Sequence, residues 1–137
     1  MKKTILIFLL SSLVLLYACK EPDYREQWTG CYSCNVHCSY GISDTGEETE
    51  CNYTDTMRVS LAADSSLMVS SIKHNRVWTF LVNESGNIIS GSMNSKAYAL
   101  NRGIFFKDGF FFSYNEYGIN VSRQYEVKGQ RLRKVLE

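Results

Sequence analysis

Four of the five cysteines in this chain lie close together, at Cys31, Cys34, Cys38 and Cys51. Four cysteines in a small domain predict two disulfide bonds in an oxidising compartment, and three pairings are possible. Four thiolates could instead bind one zinc ion. The Cys31-x-x-Cys34 pair could also exchange disulfides with a partner. Each chemistry requires a different arrangement of the segments that carry the cysteines.

The segments around the cysteines have the pattern of a strand hairpin. Residues 31–40 and 51–61 alternate between apolar and polar side chains, and residues 41–50 have a loop composition. In an antiparallel hairpin, one register opposes three pairs on the same face: Tyr32 and Met57, Val36 and Tyr53, and Cys38 and Cys51. Directly opposed residues lie about 4.5–5.5 Å apart, which is within disulfide reach. We therefore expect a Cys38–Cys51 bond.

Cys31 and Cys34 are harder to join. Three residues span about 10 Å in a regular strand, which is too far for a disulfide bond. The second expected bond, Cys31–Cys34, needs a turn or bulge at residues 30–34, and the sequence leaves this open.

The other two cysteine chemistries fit the spacing less well. Zinc sites usually combine two close-spaced pairs of ligands, whereas Cys51 stands alone. Redox catalysis by Cys31 and Cys34 normally needs a strand followed by a helix, which the pattern does not predict. We expect disulfide bonds and no cofactor, with zinc at the four cysteines as the alternative.

Aromatic residues supply the other candidate site. They cluster over residues 105–117, where rings fall on both faces of a predicted hairpin. One face belongs to the core, and the other needs cover from a ligand, a partner or a neighbouring loop. Phe105 and Phe111 could form a platform for a sugar ring, and Trp78 could line a ligand cavity inside a barrel.

The remaining chain predicts an all-β fold. Short apolar segments separated by Gly, Asn, Asp and Ser turns continue to the C-terminal region, and no long amphipathic helix is indicated. The later strands are predicted at 67–72, 77–82, 88–93, 96–100, 104–106, 110–114, 119–127 and 132–136. We expect a single antiparallel up-and-down β-barrel of about eight or nine strands, with a β-sandwich as the alternative.

The N-terminal region has the pattern of an export signal. Lys2 and Lys3 precede an apolar run of about a dozen residues, whereas a membrane-spanning helix needs about 20. The sequence Leu16-Tyr17-Ala18-Cys19 resembles the lipobox of bacterial lipoproteins. This resemblance implies cleavage before Cys19, acylation of Cys19 and attachment to a membrane. An ordinary secretory signal cut near Ala18 is the alternative.

These features divide the chain into three parts. Residues 1–18 are the predicted lipoprotein signal peptide, residues 19–27 the lipidated cysteine with a flexible tether, and residues 28–137 the β-barrel domain. The charged tether has no apolar period and is expected to be disordered. Its acidic residues resemble an export signal for the cell surface, and a generic hydrophilic linker is the alternative.

The whole chain resembles a group of small Bacteroidetes lipoproteins of uncharacterised function. Four features carry the resemblance: Trp28-x-Gly30-x-Tyr32, the turns at Asp64-Ser65 and Gly86, the hairpin over residues 106–114, and Tyr125-x-x-x-Gly129-x-x-Leu132. The resemblance implies a lipocalin-like barrel on a lipid anchor in the bacterial cell envelope, at the outer membrane. Whether the domain faces the periplasm or the cell surface is left open.

The net charge and the absence of known motifs reduce the number of function classes to consider. Removal of residues 1–18 takes two of the 15 basic residues and none of the 14 acidic ones, so the net charge changes from +1 to −1. This argues against non-specific nucleic-acid binding. No catalytic motif is present, so we do not expect an enzyme. We expect a module that binds a small ligand or glycan, with interaction with another envelope protein as the alternative.

Overall fold

Within the residues that the structure describes, one 3₁₀ helix and eight antiparallel strands are found. The computed structural model describes residues 22–42, 46, 48–63, 65–94, 98–119 and 121–133. The elements are the 3₁₀ helix Tyr24–Trp28, β1 Gly30–Ile42, β2 Glu48–Leu61, β3 Ser66–Ser71, β4 Val77–Val82, β5 Ile88–Met93, β6 Tyr98–Phe106, β7 Gly109–Gly118 and β8 Val121–Arg131. Residues 1–18 and Cys19, the predicted signal peptide and lipidation site, lie outside the described residues.

The strands form one sheet in the order β5-β4-β3-β2-β1-β8-β7-β6. Strands that are adjacent in sequence pair with each other, except for β5 and β6, and β1 pairs with β8. The sheet therefore curves into a nearly closed up-and-down barrel. This confirms the predicted barrel and excludes the sandwich, which would need two sheets.

The barrel has two distinct ends. The helix end carries the 3₁₀ helix and the β2–β3, β4–β5 and β6–β7 connections. The far end carries the β1–β2, β3–β4, β5–β6 and β7–β8 connections. The helix end is filled by Trp28, whose ring centroid lies 5.9 Å from that of Phe105. Tyr32 donates a hydrogen bond to the Trp28 carbonyl at 2.7 Å and accepts one from Arg131, which ties the last strand to the first.

The predicted register of the first hairpin is confirmed. Tyr32 opposes Met57, Val36 opposes Tyr53, and Cys38 opposes Cys51. The apolar face predicted for residues 31–40 points into the barrel, where alternate side chains are buried. This agreement follows from the period of a strand, since every second residue faces the core.

The 3₁₀ helix corrects the expectation of a disordered tether up to residue 27. The Tyr24 hydroxyl donates to the Val82 carbonyl at 2.8 Å, and Arg25 donates to the carbonyls of Ala62 and Ser66 at 3.0 and 2.7 Å. These bonds hold the end of the tether against two turns. The signal was missed because the helix is too short to show an apolar period.

Two predicted strands, 96–100 and 104–106, belong to the single strand β6. The register between β6 and β7 shifts between Leu100 and Arg102, which is the mark of a β-bulge. The bulge interrupts the alternation of apolar residues, so one strand has the sequence pattern of two. The predicted last strand, 132–136, is not part of the barrel as described: β8 ends at Arg131, residues 132 and 133 are not in a strand, and residues 134–136 lie outside the described residues. The described barrel has eight strands, the lower of the two expected numbers.

The barrel closes at the helix end between the β4–β5 turn and β6. The amide of Phe105 donates to the Gly86 carbonyl at 2.7 Å, and Asn87 and Ile104 form an isolated bridge. Gly86 has φ +86°, and a Cβ there would lie 2.0 Å from the Phe105 carbonyl oxygen. Only glycine permits both the conformation and this close approach. Along the described parts of β5 and β6, no further pairing joins the two strands.

Candidate functional site

A cluster of polar and aromatic side chains occupies the barrel interior at the far end. We call it the far-end cluster, and its members are Arg76, Trp78, Tyr98, Tyr114, Glu116 and Tyr125. The strand period explains how they meet. Arg76 directly precedes β4 and lies two residues before Trp78, and Tyr114 and Glu116 are two residues apart in β7, so each pair shares the inward face.

Arg76 is the centre of the far-end cluster. Its Nη1 donates to the Tyr114 hydroxyl at 3.3 Å and its Nη2 to the Tyr125 hydroxyl at 3.2 Å. The guanidinium lies 4.8 Å from the centroid of the Tyr125 ring, and Nη2 forms an ion pair with Glu116 Oε1 at 3.5 Å. Tyr114 and Tyr125 are stacked at 4.8 Å. Arg76 is thereby fixed by two rings and one carboxylate.

The electrostatics keep the guanidinium charged and the phenols protonated. Burial alone would lower the pKa of Arg76, but Tyr114, Tyr125 and Glu116 outweigh it and the pKa lies above the usual value. Burial raises the pKa of Tyr114 and of Tyr98, because a phenolate would lose its hydration. The far-end cluster therefore offers neutral hydroxyl groups around one buried ion pair.

Three polar atoms of the far-end cluster lack hydrogen-bond partners among the described residues. They are the Trp78 Nε1, the Tyr98 hydroxyl and the Glu116 Oε1, and all three are buried; Glu116 Oε1 has the ion pair with Arg76 at 3.5 Å but accepts no hydrogen bond. The Trp78 and Tyr98 rings lie 5.7 and 6.0 Å from the Tyr114 ring, so two of these atoms belong to residues packed around the same side chain. Each buried polar atom without a partner costs about 1–3 kcal/mol. Such groups are uncommon in native interiors, and a bound molecule, an ion or a water can satisfy them.

A groove reaches the far-end cluster from the surface. It has a volume of about 400 Å³ and is lined by Glu116, Tyr117, Gly118, Ile119, Val121 and Arg123. Glu116 is the buried member of this set, at 3% exposure, and it belongs to both the groove and the ion pair with Arg76. The volume falls in the usual range for small-molecule sites.

The three predicted ligand-contacting residues lie in three different places. Trp78 is 1% exposed and belongs to the far-end cluster. Phe105 is also 1% exposed, but it lies in the core at the helix end, 5.5 Å from Phe110. Phe111 lies on the outer surface under the guanidinium of Arg102, at 5.1 Å. The structure thus brings only Trp78 to the candidate site, and a role for the other two in ligand binding stays a prediction.

The cysteine geometry confirms one predicted bond and corrects the other. Cys38 and Cys51 form a disulfide with a Cα–Cα distance of 5.0 Å. Cys31 and Cys34 are free thiols. Cys31 is exposed on the outer face of β1 whereas Cys34 is buried on its inner face, because three residues along a regular strand reverse the side-chain direction. The bulge that a Cys31–Cys34 bond would need does not form.

The same geometry separates the ligands of the alternative zinc site. Two of the sulfurs are joined to each other, and the remaining two point to opposite faces of β1. Burial, followed by the nearby Asp55 carboxylate, raises the pKa of Cys34 to about 12, which keeps it a protonated thiol. The described residues contain no group of three or more His, Cys, Asp and Glu side chains that could hold a metal ion.

Asp55 is a buried carboxylate with a structural role. It accepts hydrogen bonds from the Ser71 hydroxyl at 2.5 Å and from the amides of Thr56 and Lys73 at 2.6 and 3.4 Å. The amide of His74 donates to the Ser71 hydroxyl at 3.0 Å. These bonds organise the β3–β4 turn that presents Arg76 to the interior.

Sequence reasoning missed Arg76, Glu116, Tyr98 and Tyr114 as site residues. A weak signal existed, because Arg76 and Glu116 continue the inward alternation of strands whose other inward residues are mostly aromatic. The sequence does not show that their strands meet at one end of a barrel.

Comparison with known proteins adds no assignment. Within the described part of the chain, no helix is long and apolar enough to span a membrane. No family model matches the chain, and the search of curated proteins found no match.

Proposed function

We propose that this protein is a lipid-anchored, non-enzymatic protein of the bacterial cell envelope that binds a small ligand or glycan at the far end of its barrel. The observation that supports the proposal is the set of three buried polar atoms in the far-end cluster that have no hydrogen-bond partner among the described residues. A bound molecule that paired with them would recover the cost of burying them. The groove beside Glu116 supplies its route from solvent.

The far-end cluster limits the chemistry of the ligand. The Trp78 Nε1 donates only, the Glu116 Oε1 accepts only, and the Tyr98 hydroxyl can do both. The surrounding rings favour an apolar or ring-shaped body. The ligand therefore carries at least one acceptor and one donor on a compact body, a description that fits a sugar or another small polar ring.

The lipid anchor is supported by the sequence alone. The lipobox resemblance at residues 16–19 implies acylation of Cys19 after export. More than one acyl chain is needed for stable attachment to a membrane, since a single chain binds only marginally.

The test is the intact mass of the protein extracted from its own membrane, under native and then denaturing conditions. We expect a denatured mass that includes acyl chains and a native mass with an additional ligand. Glu116→Gln and Trp78→Phe should lose the additional mass, because the first replaces the carboxylate by a neutral amide, a weaker acceptor, and the second removes the indole N–H donor.

Glu84→Gln is the matched control, since Glu84 is exposed in the β4–β5 turn at the opposite end of the barrel. It should retain the additional mass. Equal native and denatured masses for the unmodified protein, or retention of the ligand by both far-end variants, would contradict ligand binding at this site.

A further inference from the structure

The 3₁₀ helix fixes the barrel very close to the predicted lipid. Four residues separate Cys19 from Tyr24, so the two Cα atoms are at most about 18 Å apart. Tyr24 is tied to Val82, and Arg25 to Ala62 and Ser66, so this short connection ends on the helix end of the barrel and not on a free linker. The far end lies roughly 25 Å away, given the length of β8 and the usual strand tilt.

Exposed apolar side chains are found at both ends of the barrel. At the far end, Ile72 is 61% and Ile119 is 94% exposed, so the attachment of the tether, and not apolar exposure, selects the end that faces the membrane.

Two exposed apolar residues lie at the helix end, where the tether ends. Phe106, the last residue of β6, is 50% exposed, and Leu132, directly after β8, is 49% exposed. Both lie at the helix end, where the amide of Arg131 donates to the Asp108 carbonyl in the β6–β7 turn and the amide of Leu132 donates to the Cys31 carbonyl. A depression of about 600 Å³ lies beside Phe106, with Trp28 and Ile104 among its apolar lining residues and Lys107 and Asp108 among its charged ones. Aromatic and aliphatic side chains in this position suit the interface of a bilayer.

Charge does not select the kind of lipid. The exposed charged residues around the helix end carry both signs. Lys107 and Arg133 are positive, and Glu26, Glu84 and Asp108 are negative. Contact with the bilayer must therefore come from apolar burial and the tether and not from attraction to anionic headgroups.

We propose that the helix end rests on the bilayer that holds the Cys19 lipid, with Phe106 and Leu132 in the interface. This inference rests on the lipid anchor of the proposed function. It places the far-end cluster on the side of the barrel that faces away from the membrane. The ligand would accordingly enter from the aqueous compartment and not from the lipid phase.

The test places a tryptophan at each end of the acylated full-length protein. Phe106→Trp reports on the helix end, and Ile119→Trp, at a position that is 94% exposed, is the matched control at the far end. The two native tryptophans, Trp28 and Trp78, are buried and contribute a constant background. The protein is bound to vesicles of phosphatidylcholine with bromine on the upper part of the acyl chains, which quenches tryptophan in the interface.

We expect brominated lipid to quench the added emission of F106W and to leave that of I119W unchanged. Leu132→Trp gives a second reporter of the helix end if F106W does not fold. If the protein floats with the vesicles and I119W is quenched as strongly as the helix-end variants, or none is quenched, the orientation is wrong while the anchor stands. If the denatured mass lacks acyl chains and the protein does not float, the anchor of the proposed function fails and the orientation fails with it.

Discussion

Tyr98 and Tyr32 both carry a hydroxyl into the barrel, but the two differ in what that hydroxyl contacts. The Tyr32 hydroxyl bonds to the Trp28 carbonyl and to Arg131, whereas the Tyr98 hydroxyl has no partner among the described residues. We expect Tyr98→Phe to leave the free energy of unfolding of the ligand-free protein unchanged or to raise it by about 1 kcal/mol. Tyr32→Phe should lower it by about 2 kcal/mol, as measured by urea denaturation. Equal losses in the two variants would show that Tyr98 is already satisfied without a ligand.

Single residues were predictable where the strand period alone decides their position. Trp78 was expected inside a barrel and lies there. Arg76 and Glu116 were not expected, because charged residues normally stand outside, and each occupies only one inward position of its strand. Their proximity depends on pairing across several strands, and a single sequence carries no signal for that.

The β4–β5 turn is the element that closes the barrel, and Gly86 is its critical residue. We expect Gly86→Ala to lower the free energy of unfolding by at least about 2 kcal/mol, because the residue has a positive φ and its added Cβ would collide with the Phe105 carbonyl. Gly41→Ala is the control, since no atom lies within 4 Å of the added Cβ and φ is not positive there. Its effect should stay within about 0.5 kcal/mol. Similar values for both variants in urea denaturation would mean that this contact does not hold the barrel closed.

At the level of elements, the sequence predicted pairing best where two constraints coincide. Residues 31–40 and 51–61 alternate in phase, and Cys38 and Cys51 can bond only in one register. All three predicted cross-strand pairs of this hairpin are therefore confirmed. The sequence pattern predicts two strands in place of β6, because the bulge interrupts the alternation of apolar and polar residues. The 3₁₀ helix was missed because its order comes from Tyr24 and Arg25 bonding to distant turns, which no local pattern reveals.

The whole molecule should lose stability at alkaline pH. Burial raises the pKa of Tyr32, Tyr53, Tyr98 and Tyr114 above the ordinary value of 10.0. In the unfolded chain these phenols ionise near pH 10, whereas the folded protein keeps their protons. The unfolded state then binds fewer protons than the folded state, so the free energy of unfolding falls as the pH rises above about 10. Urea denaturation between pH 8 and pH 11 measures this decrease, and a constant value across that range would contradict it.

The pairing of β1 with β8 brings together the two ends of the folded chain, since Tyr32 opposes Arg131. A contact between residues so distant in sequence must close a very long loop, and such contacts slow folding. Until β8 has been synthesised, β1 lacks one of its two neighbouring strands and the core side chains beside it stay exposed to solvent. We therefore expect the nascent chain to stay unfolded until its last strand has been made. If the export predicted from residues 1–18 takes place, this delay keeps the chain unfolded for its passage through the export channel, because the topology of the barrel itself postpones folding.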